Sequence, residues 1–184
     1  MQTRSRTGLG LILLVGVSAC ADDDEAPPDG SAGQPSGGSD CTALPTTFSH
    51  EATTIDSTTE VPARALAIAG SPIGAHCLVS GRMDVRTGSD GAAYAIGFEM
   101  RLPEAWNGRF YYQANGGLDG VVVPATGEYS AGSQLTSALL QGFAVISSDA
   151  GHNIAQNATF GLEPQARFDF GYQAPQKLTP MARR

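Results

Sequence analysis

In the stretch GRFYYQANGGLDG, residues 108–120, an alternating aromatic segment runs into Asn115-Gly116-Gly117. Glycine gives up more backbone entropy on folding than any other residue, so a pair at a strand end answers a conformational or steric demand. Two demands fit. Asn-Gly is a favoured two-residue turn between antiparallel strands. Alternatively, a backbone without side chains leaves room for a ligand and aims its N–H groups at a negative oxygen. A second cluster, SSDAGH, places Ser147, Ser148, Asp149 and His152 within six residues. These are the residue types of an acyl-transfer triad, but the members of a triad converge from separate elements. Neighbours at a strand end are expected instead to hold that end and the adjoining loop by hydrogen bonds. Ser130, in EYSAG, comes nearest to a G-x-S-x-G nucleophile turn, with Glu128 in place of the first glycine and no buried strand leading into it. A serine without a positioned base is simply a hydroxyl. Trp106, Tyr111 and Tyr112 are candidates to line an aromatic pocket. At least one of the two tyrosines should be core, because successive strand side chains point to opposite faces. The three histidines, His50, His76 and His152, have no paired ligand at finger-like spacing, so no metal site is expected.

The elements that must position these residues show in the punctuation of the chain. Residues 75–85 and 93–103 alternate as strands on either side of the turn TGSDGA and form a hairpin. Residues 109–114 make a third strand, followed by a long glycine-rich excursion. In QLTSALLQ, Leu135, Leu139 and Leu140 fall on one helical face and Gly142 stands where a C-cap would, so a helix is predicted there. Residues 143–149, FAVISSD, form a continuous apolar run of the kind that lies inside a parallel sheet. Strand, glycine loop, helix and buried strand together read as a βαβ unit. That order weakens the hairpin reading of Asn115-Gly116. The final segment, FDFGYQAPQKLTPMARR, reads as the start of a second helix, although Phe168, Phe170 and Tyr172 carry a strand-like period and Pro175 and Pro180 interrupt a helix interior.

Ahead of these elements, residues 1–19 carry Arg4 and Arg6, a short apolar run and VSAC, in the order of a secretory signal that is too short to span a membrane. VSAC resembles the lipobox of bacterial lipoproteins, which makes Cys20 the lipidated residue. Residues 20–40 hold six acids and no base, have no large apolar side chain, and are read as a disordered tether. They account for most of the net charge of −7, so the folded part, residues 41–184, is only mildly acidic. It offers no basic stripe for nucleic acid. An exported chain meets oxidants, and the two cysteines left after Cys20, Cys41 and Cys77, are read as one disulfide.

Four blocks, AHCLVSG, FEMRLPEAWNGRFYYQANGG, ALLQGFAVISSDAGH and FDFGYQAPQKLT, resemble in order and spacing the N-terminal part of the tannase and feruloyl esterase family. That family also takes in bacterial hydrolases of aromatic monoesters. The resemblance covers about residues 41–180 and implies an α/β-hydrolase fold with a serine nucleophile, an aspartate and a histidine. It also implies a lid domain, inserted later, that usually binds calcium. On such a fold the loop after the third strand supplies one backbone donor of the oxyanion hole. This gives Gly116 or Gly117 that role, with Asn115, Asp149 and His152 as structural neighbours. Neither G-x-S-x-G nor G-C-S-x-G occurs in the 184 residues. The resemblance therefore implies a truncated α/β-hydrolase-like N-terminal part, comprising the first strands, one crossover helix and the start of a second, with the triad beyond residue 184. The chain alone is expected to be inactive and to leave residues 143–146 as an exposed sheet edge. It is expected to carry no cofactor of its own. Its partners would be a small ester of an aromatic, phenolic acid in the full-length form and a bacterial membrane, reached through the lipid anchor on the periplasmic or cell-surface side. The alternative is a non-catalytic surface lipoprotein whose strands and glycine loops build a β-sandwich binding module.

Overall fold

The computed structural model of the chain describes residues 40–128 and 137–183. The signal segment, Cys20, the acidic tether, Ser130 and Leu135 lie outside the described residues. Seven strands are described: β1 (Thr53–Val61), β2 (Ala67–Ile68), β3 (Ser71–Pro72), β4 (His76–Thr87), β5 (Ala93–Pro103), β6 (Phe110–Gln113) and β7 (Ala144–Ser148). Five of them form one sheet in the order β1-β4-β5-β7-β6, and β2 and β3 form a separate small hairpin. The β4–β5, β1–β4 and β5–β7 pairs are antiparallel, whereas β6 and β7 are parallel. A single mixed sheet with a helical layer is an α/β architecture and not the pair of facing sheets that a sandwich needs.

Alternation explains the centre of the sheet. In β5, Tyr94, Ile96, Phe98 and Met100 are buried and the residues between them are less so. The register sets Met100 opposite Val79, Phe98 opposite Gly81 and Ile96 opposite Met83, which brings the apolar sets of β4 and β5 onto one face. Gly81 is small because the Phe98 ring takes the space, a Cβ there falling 2.5 Å from Cζ. Every residue of β7 is buried. The expectation that residues 143–146 form an exposed edge is therefore corrected. Within the described residues β7 is flanked by β5 and β6, and it is β6 that lies at the edge.

Opposite faces of the sheet carry different layers. One face packs Val79, Met83, Ile96, Phe98, Met100 and Ile146 against Ala174, Leu178 and Met181. The other packs Val145 against Ile68, Ile73, Ala125, Ala138 and Leu139. Tyr112 belongs to the first cluster and Tyr111 to the second, as strand alternation requires.

The helix predicted over 134–141 needs correction. Its described part, residues 137–141, holds turns and no helix. The N–H of Ala138 donates to Gly127 O and that of Leu139 to Thr126 O, at 3.2 and 3.1 Å. In a helix those donors would reach back four residues; here the excursion loop takes them. Gly142 does end the segment with φ +83, as a C-cap glycine would.

The C-terminal segment is helical. It runs through α2 (Pro164–Phe168), a π-helical turn (Asp169–Gln173) and α3 (Ala174–Ala182). Glu163 caps it, its carboxylate accepting from Ala166 N–H at 2.7 Å. The wide turn ends where Ala174 N–H bonds to Asp169 O, immediately before Pro175, whose ring would clash with the carbonyl four residues back in a regular helix. Phe170 is partly buried against the core, while Phe168 and Tyr172 point outward and meet each other at 6.3 Å, so their period of two reflects no strand.

Before the sheet, a 3₁₀ turn (Cys41–Ala43) leads into the short α1 (Leu44–Thr47). Cys41 is bonded to Cys77 at the start of β4, with Cα atoms 5.6 Å apart. A loop of this length stabilises by at most about 4 kcal/mol through the unfolded state.

Candidate active site

The carboxyl end of β6 is held from three directions. Gln113 is buried there, its Oε1 accepting from Gly127 N–H at 2.7 Å and its Nε2 donating to Pro124 O at 3.2 Å. Asn115 reaches across to the end of β7, donating to Ser148 O at 2.8 Å and to Ser147 Oγ at 3.2 Å. Because β6 and β7 are parallel, the Asn115-Gly116-Gly117 turn joins no antiparallel pair, which removes the hairpin reading. The turn closes with Asp119 N–H on Gly116 O at 3.4 Å. Gly117 has φ +69, a conformation that favours glycine. Both glycines are exposed, and a Cβ on either meets nothing within 4 Å. Among the described residues, neither Gly116 N–H nor Gly117 N–H donates to any acceptor.

The SSDAGH residues are employed separately. Asp149 Oδ1 accepts from Gly97 N–H of β5 at 3.0 Å and from Gly151 N–H at 2.9 Å, and its carbonyl accepts from Gly120 N–H at 3.1 Å. Gly97 makes room for that carboxylate, since a Cβ there would lie 2.6 Å from Asp149 Oδ2. Burial pushes the Asp149 carboxyl up to about 6, against the pull of its backbone donors and with help from the nearby Asp119 charge. His152 is only 1% exposed, stacked on Phe160 at 3.7 Å and meeting Phe170 edge-on at 5.8 Å. Its Nε2–H donates to Asn157 Oδ1 at 2.9 Å, and its Nδ1 has no partner among the described residues. Ser147 Oγ pairs with Asn115 and Ser148 Oγ with Tyr112 Oη, the latter at 2.7 Å. No hydrogen bond links Asp149, His152 and either serine into a relay among the described residues.

Beside the glycine turn lies a cleft of about 210 Å³, whose walls include Tyr112, Asn115, Asp119, Ser148, Phe170 and Pro175. Burial raises the Tyr112 hydroxyl, with the Ser148 hydrogen bond opposing it. Burial also raises the Asp119 carboxyl, the His152 ring opposing, and Asp119 Oδ1 is buried without a partner among the described residues. Trp106 does not line this cleft; it is 43% exposed and its indole N–H donates to Arg109 O at 2.7 Å. Gln113, Asp119 and Asn157 escaped the sequence reading. Only Gln113 carried a local signal, as an amide ending an aromatic strand just before the glycines.

A wider groove of about 680 Å³ lies between the start of β1, the end of β4 and the C-terminal helical segment, away from the glycine turn. Its charges are matched: Lys177 Nζ sits 2.6 Å from Asp84 and 3.2 Å from the fully buried Asp169, and Arg86 lies 2.8 Å from Asp169, out of line for a hydrogen bond. Among the described residues no three His, Cys, Asp or Glu side chains group together as they would around a metal ion.

Residues 77–184 match the family described as tannase and feruloyl esterase. The chain is 44% identical over 112 residues to mono(2-hydroxyethyl) terephthalate hydrolase of Piscinibacter sakaiensis, which covers 56% of this chain and 18% of that one. It is 36% identical over 76 residues to a probable feruloyl esterase B-2 of Aspergillus flavus, covering 41% of this chain and 13% of the relative. It thus spans about a fifth or less of the length of these curated relatives. Among solved structures, feruloyl esterase B from Aspergillus oryzae superposes with a TM-score of 0.58 at 25% identity, over 77% of this chain and 27% of that one. Motif order, sheet topology and the match over residues 77–184 lead to the same place: the chain belongs to the tannase and feruloyl esterase family.

Proposed function

We propose that the chain serves a serine carboxylic-ester hydrolase for esters of aromatic, phenolic acids, and that these 184 residues contribute an oxyanion donor and not the nucleophile. The observation that carries this reading is the Gly116-Gly117 turn, exposed at the end of edge strand β6, with two uncommitted N–H groups beside a cleft. In the reaction a serine oxygen attacks the acyl carbon while its proton passes to a histidine. The former carbonyl oxygen takes the negative charge, and the glycine N–H donates to it. Collapse of the tetrahedral species expels the alcohol with that proton and leaves an acyl-enzyme, which water then hydrolyses to the acid. One such donor is worth about 3 kcal/mol in the transition state. On this fold the second donor belongs to the residue after the nucleophile, and the 184 residues hold no nucleophile turn.

A product carboxylate mimics the oxyanion and tests the reading without any turnover. Titrating gallate into the ¹⁵N-labelled chain should shift the Gly116 and Gly117 amides before others. The same preparation should hydrolyse methyl gallate no faster than its Ser130→Ala variant. Silent glycine amides at saturating gallate, or turnover abolished by Ser130→Ala, would overturn the assignment.

A further inference from the structure

We propose that Asn157, held by His152, is the positioning residue of the Gly116–Gly120 turn; this rests on the reading of that turn as the oxyanion loop. The turn has few anchors of its own. Gly116 and Gly117 are exposed, and Asp119 and Gly120 take positive φ of 54° and 86°. A non-glycine residue in the left-handed region costs energy and persists only where its surroundings hold it. Two contacts do so at the base of the turn. Gly120 N–H donates to Asp149 O at 3.1 Å, and Asn157 Nδ2–H donates to Asp119 O at 3.4 Å.

Asn157 is fixed in turn from behind. Asp119 O can only accept, so the amide turns its Nδ2–H toward it and its Oδ1 toward His152, 2.9 Å from an Nε2 that then donates. His152 cannot swing away, being buried and stacked between Phe160 and the edge of Phe170. Gly120 shows how closely Asn157 is seated, because a Cβ there would fall 2.9 Å from Asn157 Oδ1 and 3.1 Å from Ile154 N. The local chain is braced as well: Asn153 and Gln156 exchange hydrogen bonds in a capping box, and Asn157 N–H bonds to Ile154 O. Aromatic stack, imidazole, amide and turn backbone therefore form one mechanical series, ending where the glycine N–H groups are aimed. A donor displaced by a fraction of an ångström loses most of its value, which is why such loops need a rigid support.

The test is residue-resolved amide hydrogen exchange on the 184-residue chain, in which the Asp119 and Gly120 amides report opening of the turn and the Val145 and Ile146 amides report the sheet. Asn157→Ala should speed exchange at Asp119 and Gly120 at least tenfold and leave Val145 and Ile146 within twofold. Asn157→Asp keeps the acceptor for His152 and loses the donor to Asp119, so it should produce the same local pattern. Unchanged turn amides in both variants would overturn the proposal. So would acceleration of turn and sheet together, including outright unfolding, because Asn157 would then be general scaffold. Exchange needs no substrate, so these outcomes are independent of the gallate titration: silent glycines with a loosened turn refute the oxyanion reading alone.

Discussion

The cluster around Arg101 and the cluster around Asp149 both draw on β5, yet they spend their polar groups differently. In the first, His76 Nδ1–H donates to Gly74 O at 2.8 Å and Nε2 accepts from Arg101 Nη1 at 2.8 Å. Arg101 Nε–H donates to Glu99 Oε1 at 3.0 Å, and the same oxygen accepts from Ala125 N–H at 2.9 Å. The chain of bonds closes between strand side chains and the excursion loop. In the second, Asp149 is satisfied, but Asp119 Oδ1 and His152 Nδ1 have no partner among the described residues, and two glycine N–H groups stand free nearby. Buried polar groups in folded proteins are nearly always paired, so unpaired ones gathered at a cleft mark a place built for something other than stability. The first cluster closes on itself as scaffold, and the second is the proposed site.

Removing the hub of the satisfied cluster should do the most damage. Arg101→Met leaves His76 Nε2 without a donor and Glu99 without its ion partner, both buried or nearly so, at a cost of about 3 kcal/mol. Urea unfolding would read this directly, and a cost under about 1 kcal/mol would show that the cluster is not a structural hub.

A smaller effect separates the two clusters by pH. The folded Asp149 carboxyl sits at about 6 against an ordinary 3.8, so the folded state holds its proton more tightly than the unfolded chain. That contribution is fully present below pH 3.8 and is lost as pH rises through 6, worth at most roughly 3 kcal/mol. His76 runs the other way. Burial, aided by the Arg101 charge and opposed by the Gly74 hydrogen bond, holds it below 6.5, so its contribution is present above 6.5 and is lost as pH falls. Asp149→Asn should therefore abolish the gain on acidification and uncover the His76 loss in thermal melts between pH 7.5 and 4. A variant with an unaltered melting profile would place the Asp149 carboxyl in its ordinary range.

The smallest effect is the most telling. Asp119→Asn removes a carboxylate whose Oδ1 no described donor serves, so stability should change by less than about 1 kcal/mol in either direction. A loss as large as that of Arg101→Met would make the two clusters alike and erase the distinction between scaffold and site.

Much of this was written locally in the chain. β4 and β5 alternate, β7 shows as a continuous apolar run although its place between β5 and β6 did not, and the paired glycines mark the turn. β1 was not legible, because TTIDSTTEV carries threonine and serine where an apolar period would show, as an edge strand with one wet side permits. The leucines at 139 and 140 imitate a helix but brace a turn whose backbone donors go to Thr126 and Gly127. The proline at 175 argued against helix until the wide turn before it relieved the clash. Asp119 and Asn157 were hidden for a different reason. They stand 38 residues apart, and their partnership exists only after two loops have folded onto each other.

Strand order also dictates a sequence of events in time. β6 is synthesised before β7, but within the described sheet β7 is its sole neighbour, and β7 must itself dock on β5. The β4–β5 hairpin can zip at once because its loop is short, whereas the parallel pair must first close the whole excursion between β6 and β7. β6 therefore waits, aromatic and unpaired, until residues 144–148 arrive. The glycine turn at its end is tied to Ser147 and Ser148 through Asn115, so those anchors form only once the excursion has closed and β7 is in place.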